Sequence, residues 1–435
     1  MDATLSNASI DTALSDAIDR FAAKNPKSLA QHETASAVLP GGNTRTVLFH
    51  EPFPMTLVGG EGCYVTSLDG VRYLDGLGEY TAGLFGHSDP VIRAAIDTAL
   101  DGGLTLGGHT RMEAELAAVL CERFPALERV RFTNSGTESN LLAIGLARTL
   151  TGRSKVMVAN GGYHGSMLMF AGENPLNAPF PYVMMTYNDA ASAEAAAAEA
   201  EGDLAAIVVE PMMGSGGCIP ATREFLMSLR DLADRTGALL VFDEVMTSRL
   251  TVGGLQKTLG ITPDLMTLGK YIGGGLTFGA FGGRADLMRR FDPNQPDMLA
   301  HAGTFNNNVL TMSAGVAAMT KVYTPDVVEA HNARGDALRE RLNAIAADAG
   351  ACLQFSGIGS MMTAHTTREP IVSTAAAATS DQRLKALFFF DMVDAGVWMA
   401  RRGMINLSLP MGKAEEDQLA AAVESFVQTR RSLLA

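Results

Sequence analysis

The sequence predicts an α/β protein, a seven-stranded and mostly parallel sheet carrying a smaller α+β domain built from both chain ends. Two observations lead there. Between residues 129 and 283, short β-branched or apolar runs alternate with alanine-rich or amphipathic stretches, the pattern of strand and crossover helix repeated. On both sides of that region the pattern turns to helices and paired short strands. With 435 residues and 47% hydrophobic content, the chain can fill the core of more than one domain.

The expected strands are 129–135 (RVRFTNS), 155–160 (KVMVAN), 182–187 (YVMMTY), 206–211 (AIVVEP), 239–245 (LLVFDEV), 265–270 (LMTLGK) and 279–283 (GAFGG). Segments 190–201 and 223–236 favour helix and serve as crossovers. Ahead of the sheet, residues 10–35 read as helical and 55–75 as a small antiparallel sheet turning at Asp69-Gly70. Beyond it come a long helix over 326–350, a strand pair over 352–365 and a helix over 381–396. The expected division is an N-terminal segment 1–75 belonging to the small domain, a large domain 76–325, and a C-terminal small α+β domain 326–435.

Composition narrows the function classes. The 34 basic and 47 acidic residues leave a formal net charge of −13, which opposes non-specific attraction to nucleic acid or an anionic membrane. No stretch of about 18 apolar residues suggests a membrane span. Cys63, Cys121, Cys218 and Cys352 lie too far apart for a zinc site or a disulfide framework. Residues 1–30 resemble no signal or transit peptide, so a cytoplasmic location is the expectation.

Chemistry gathers at the carboxyl ends of the expected strands, where ligands of open α/β sheets bind. Lys270 ends one strand and is followed by Gly273 to Gly275. To attack an aldehyde near neutral pH its amine must lose a proton, and lowering a lysine pKa by about 3 units costs about 4 kcal/mol, which burial supplies. An isolated lysine there would be a solvated strand end, so its company decides.

Asp243 stands inside an otherwise apolar strand, 27 residues before Lys270. A buried carboxylate needs a cationic partner, and a protonated pyridine nitrogen is one; capping of the next loop by Asp243 or Glu244 is the alternative. The segment Ser135-Gly-Thr-Glu-Ser-Asn140 joins a strand to a helix, where hydroxyls, a glycine and helix N-terminal amides suit a phosphate dianion and equally suit a plain cap. Tyr163 in Gly162-Tyr-His-Gly165 offers an aromatic face to a planar ring, with His164 beside it. Glu210 in Val-Glu-Pro ends another strand, within reach of such a ring. A lysine, a buried acid, a phosphate cradle and an aromatic shelf together point to pyridoxal 5'-phosphate.

In this order and combination, Asn134-Ser-Gly-Thr-Glu-Ser-Asn140, Gly162-Tyr-His-Gly165, Val209-Glu-Pro211, Phe242-Asp-Glu-Val245 and Thr267-Leu-Gly-Lys270 resemble the fold-type I, class III pyridoxal-phosphate aminotransferases, a group that includes glutamate-1-semialdehyde aminomutase. The resemblance implies that Lys270 is the Schiff-base lysine and proton shuttle, Asp243 the partner of the pyridine nitrogen and Tyr163 the stacking aromatic. Ser135, Gly136 and Thr137 would bind phosphate, and Thr304 in His301-Ala-Gly-Thr-Phe-Asn-Asn-Asn308 would reach the phosphate of a neighbouring subunit in a homodimer with shared active sites.

Within that group, Pro40-Gly-Gly-Asn-Thr-Arg45, Glu79-Tyr-Thr-Ala-Gly83 and Arg401-Arg402-Gly-Met404 are most similar to the aromatic β-amino acid (β-phenylalanine) aminotransferases. Arg45 is then expected to anchor the carboxylate of a β-amino acid and Arg402 that of a 2-oxoacid such as 2-oxoglutarate or pyruvate, with Arg401 an alternative to Arg402. A glutamate-1-semialdehyde-type 2,1-aminomutase or a broad ω-amine aminotransferase shares the same cofactor residues. Met212, Met213 and Met246 near the expected site would widen its substrate range as adaptable walls, the alternative being plain core, which accounts for most of the 23 methionines.

Overall fold

The computed structural model describes residues 9–435, which divide into two compact units. One comprises the chain up to Asp89 together with Ala333–Ile371 and Ala375–Ala435; the other comprises Pro90–Asn332 and Val372–Thr374. These boundaries fall at Asp89/Pro90 and Asn332/Ala333, against 75/76 and 325/326 on the sequence.

The second unit is built on seven strands: β1 (Arg129–Thr133), β2 (Lys155–Ala159), β3 (Tyr182–Met185), β4 (Leu204–Val209), β5 (Leu239–Asp243), β6 (Leu265–Gly269) and β7 (Gly279–Gly283). They lie in the order β1-β7-β6-β5-β4-β2-β3. β7 runs antiparallel to both its neighbours, so β1 and β6 share one direction and six of the seven strands end at the same edge. The sheet centre is apolar on both faces, as a sheet covered by crossover helices must be: every residue of β4, β6 and β7 is buried. Helices Gly136–Thr151, Ala190–Glu199 and Arg223–Thr236 fill the connections after β1, β3 and β4.

Most strands stop one or two residues short of the expected ends, at Thr133, Ala159, Met185, Val209, Asp243 and Gly269. The residues beyond carry side chains into turns and caps, so their apolar or β-branched neighbours in sequence do not extend the ladder.

In the other unit, strands Leu57–Glu61, Tyr64–Ser67 and Arg72–Asp75 form an antiparallel sheet, and Val397–Trp398 joins it parallel to Arg72–Asp75. That pairing is how two ends of the chain make one unit. Helix Ile10–Lys24 packs on helix Gln382–Asp394, with Phe21 against Phe390 at 5.5 Å between ring centres. The helical stretch expected over 10–35 is two helices, broken at Asn25, where Pro26 begins the next helix and its ring bars continuation. Strands Gln354–Ile358, Met361–His365 and Met404–Asn406 form a third small sheet.

Candidate active site

Lys270 follows the last residue of β6 and opens a short 3-10 turn, Lys270–Gly273. Its φ of 55° is left-handed, a conformation that a lysine adopts at a cost and that surrounding structure must hold. The strand before it is wholly buried, so the side chain leaves a rigid support at the sheet edge.

One strand over, Asp243 ends β5 in register with Thr267 and is only 4% exposed. Three donors hold its carboxylate. Asn140 Nδ2 reaches Oδ2 at 2.8 Å, His164 Nδ1 lies 2.9 Å from the same oxygen, and Val245 N donates to Oδ1 at 3.0 Å. Asn140 is fixed in turn, donating also to His164 O at 3.0 Å and accepting from Thr267 Oγ1 at 2.9 Å. Burial works against a charge on His164, but the hydrogen bond and charge of Asp243, aided by Glu210, outweigh it and hold the imidazole above its ordinary pKa. The Nε2 of His164 is buried and finds no hydrogen-bond partner among the described residues.

Glu210 follows β4. Burial pushes its carboxyl up to about 7; His164 pulls it down, Asp243 pushes it up, and the amides of Gly214 and Tyr163 pull it down. Those amides donate to its two oxygens, at 3.0 Å from Gly214 and 3.1 Å from Tyr163. Glu210 therefore fixes the backbone of the loop after β2, on which the half-open ring of Tyr163 stands. Glu244, next to Asp243, takes the capping role the sequence left open between them: it accepts from Leu255 N at 2.8 Å and Gln256 N at 3.0 Å, at the start of helix Gly254–Leu259.

Ser135 caps helix Gly136–Thr151, its hydroxyl accepting from Glu138 N at 3.2 Å. The first-turn amides of Gly136 and Thr137 have no intrahelical acceptor and sit at the positive end of the helix dipole. Gly136 is packed against Val245, two residues past Asp243; a Cβ there would lie 2.9 Å from the valine Cγ2. Thr137 Oγ1 accepts from Ser166 N at 3.2 Å, tying this cap to the loop of Tyr163.

These elements suit a flat, phosphorylated, cationic ring. Helix-terminal amides would take a dianion, a desolvated carboxylate would take a ring cation, and an amine stands one strand away. Asn140 and Thr267 complete the support of Asp243 and were not singled out from the sequence. The signal was a polar residue inside a helix and another inside a buried strand, each costly unless partnered.

Thr304 is exposed on a loop held elsewhere: His301 Nδ1 accepts from Arg131 Nε at 3.0 Å and Asn306 Oδ1 accepts from Asn134 Nδ2 at 3.0 Å. A cavity of about 510 Å³ is lined by Arg131, His301 and Asn306 but not by Lys270, Asp243 or Ser135. Met212, Met213 and Met246 are all buried.

The arginines lie in the other unit. Arg402 Cζ stands 4.9 Å and Arg45 Cζ 5.9 Å from the ring centre of Tyr80. Arg45 also pairs with Glu79. Arg401 is half-buried, with burial lowering its pKa and Glu51 raising it. Arg402 and Arg45 thus both stand at the ring of Tyr80.

Residues 49–429 match the aminotransferase class-III family. The chain belongs to that family. It is accordingly a pyridoxal-phosphate-dependent transaminase of fold type I. It is 50% identical over 431 residues to the beta-phenylalanine transaminase of Variovorax paradoxus, covering 99% of each chain. The crystal structure of a beta-phenylalanine aminotransferase from the same organism superposes with a TM-score of 0.96, covering 98% of this chain and 99% of that one. The glutamate-1-semialdehyde 2,1-aminomutase of Heliobacterium modesticaldum is 36% identical over 414 residues, 90% of this chain and 94% of its own.

Proposed function

We propose that this transaminase takes the amino group of a β-amino acid, an aromatic one such as β-phenylalanine, and delivers it to a 2-oxoacid such as 2-oxoglutarate or pyruvate in a ping-pong cycle. The observation that carries this reading is the pair of guanidiniums, Arg45 and Arg402, on the single ring of Tyr80. A β-amino acid holds its carboxylate one carbon further from nitrogen than an α-amino acid does, so two anchors let both present nitrogen to one reaction centre. The name of the Variovorax relative supports the choice of donor.

When bound, pyridoxal phosphate supplies an electron sink for the carbanion at the amine-bearing carbon. Lys270 would hold the cofactor covalently and then move the proton from that carbon. Asp243, held in place by Asn140, His164 and Val245, would pair with the ring nitrogen. Ser135, Gly136 and Thr137 would take the phosphate and Tyr163 would stack on the ring, on the loop that Glu210 sets. A β-keto acid product then loses carbon dioxide unaided.

Thr304 adds a phosphate contact to the neighbouring copy in a homodimer, and the enzyme works in the cytoplasm. The Lys270 unit serves as the large cofactor domain, corresponding to 76–325, and the two chain ends, 1–75 and 326–435, as the small one.

The test is steady-state kinetics of Arg45→Ala and Arg402→Ala. Loss of Arg45 should raise KM for β-phenylalanine about tenfold or more with little change for 2-oxoglutarate, and loss of Arg402 should do the reverse. Equal effects on both substrates would remove the two-anchor reading. Turnover that needs no added 2-oxoacid would favour the aminomutase reaction of the Heliobacterium relative instead.

A further inference from the structure

The segment that carries Tyr80 has an uncommon backbone. Gly78, Glu79, Tyr80 and Thr81 have φ values of 52°, 46°, 51° and 82°, so three successive non-glycine residues occupy the left-handed region. Such a run persists only where neighbours enforce it. Here Asp75 Oδ1 accepts from Leu77 N at 3.1 Å and Gly78 N at 3.0 Å, and Asn406 Nδ2 donates to Leu77 O at 2.8 Å. The Tyr80 hydroxyl donates to Val47 O at 3.1 Å, two residues after Arg45.

This bracing delivers one buried aromatic ring to two cations and one carboxylate, that of Glu79, to one of them. Burial pushes the Tyr80 phenol up, against the pull of Arg402 and Arg45, so it stays a neutral donor with an intact face for the guanidiniums. Without that ring, the long arginine side chains would keep more of their rotamer freedom and lose it only on binding.

We propose that Tyr80 is the shared positioning residue of both carboxylate anchors, so that a single ring governs recognition of donor and acceptor alike. The proposal rests on the two-anchor reading above and adds that the anchors are coupled through one side chain. It predicts that removing the ring weakens both classes of carboxylate together, whereas removing either arginine weakens one.

Calorimetric titration of the holoenzyme with two unreactive probes tests this: 3-phenylpropanoate, which lacks the donor amine, and glutarate, which lacks the acceptor ketone. Tyr80→Leu should raise Kd for both probes by about two- to fivefold, the range of an exposed to half-desolvated cation–π contact. Tyr80→Phe, which keeps the ring and gives up only the bond to Val47 O, should weaken both probes less than Tyr80→Leu does. Tyr80→Met gives a second ring-free side chain if the leucine variant folds poorly, with thermal unfolding and the visible spectrum of bound cofactor as checks. Unchanged affinity in a folded ring-free variant, weakening of only one probe, or equal loss in Tyr80→Phe would each overturn the proposal. Arg45→Ala and Arg402→Ala run beside them separate the two ideas. If the arginine variants each weaken their own probe while Tyr80→Leu weakens neither, the coupling falls and the anchors stand; if the arginine variants weaken neither probe, both fall.

Discussion

Lys270 is the proposed Schiff-base lysine, and its left-handed φ of 55° marks it as held by its surroundings rather than left at a solvated strand end. Lys270→Ala should abolish turnover and leave no borohydride-reducible link between protein and cofactor; near-normal turnover would refute the assignment. Asp243 was legible because an acid inside LLVFDEV is costly without a partner. Its clamp left only a faint signal, since Asn140 in a helix and Thr267 in a buried strand need partners but name none until the fold brings them within 3 Å of their acceptors. A hydrogen bond to a buried carboxylate contributes about 1.5 to 3 kcal/mol. Asn140→Ala should therefore slow single-turnover proton transfer by about tenfold or more, and Asp243→Asn should slow it further. Equal rates in Asn140→Ala and the parent would show that the amide does not position the acid.

At the scale of elements, the strand ends matter more than the strands. All seven strands were legible from apolar runs, but the last one or two residues of six of them were not, because a side chain that caps or turns has the same β-propensity as one that pairs. The break at Asn25-Pro26 was visible in principle as a proline signal within a helical pattern. The loop after β2 and the helix start at Gly136 meet at Gly165, whose φ is 122° and where a Cβ would lie 2.7 Å from the Thr137 Cα. Gly165→Ala should push the proposed phosphate cradle apart at a cost of about 1 to 3 kcal/mol, read as about a tenfold weaker binding of pyridoxal phosphate in equilibrium dialysis. Gly172→Ala is the control, since Gly172 has φ of 90° but nothing within 4 Å of a Cβ. If both variants bind cofactor equally, backbone strain and not the closeness of Thr137 explains any loss.

At the scale of the whole molecule, the net charge of −13 opposes non-specific attraction to anionic surfaces, while buried charges shape how stability depends on pH. Burial pushes Glu244 up to about 7 from 4.5, against the amides of Gln256 and Leu255 and the Thr247 hydroxyl. A carboxyl with a raised folded pKa is held more protonated in the folded than in the unfolded chain between about 4.5 and 7, so its contribution to stability falls as pH rises through that window. His50 acts with the opposite sign: burial lowers it from 6.5 to about 4, so its contribution is lost as pH falls through that range. The two partly cancel in the parent protein, which is why a mutant difference is the informative quantity. Glu244→Gln keeps an acceptor for the helix amides but cannot ionise. Its stability relative to the parent, from thermal unfolding of the holoenzyme, should be similar near pH 4.5 and rise by up to about 3 kcal/mol by pH 7. Parallel curves for the two proteins across that range would mean that Glu244 does not titrate there.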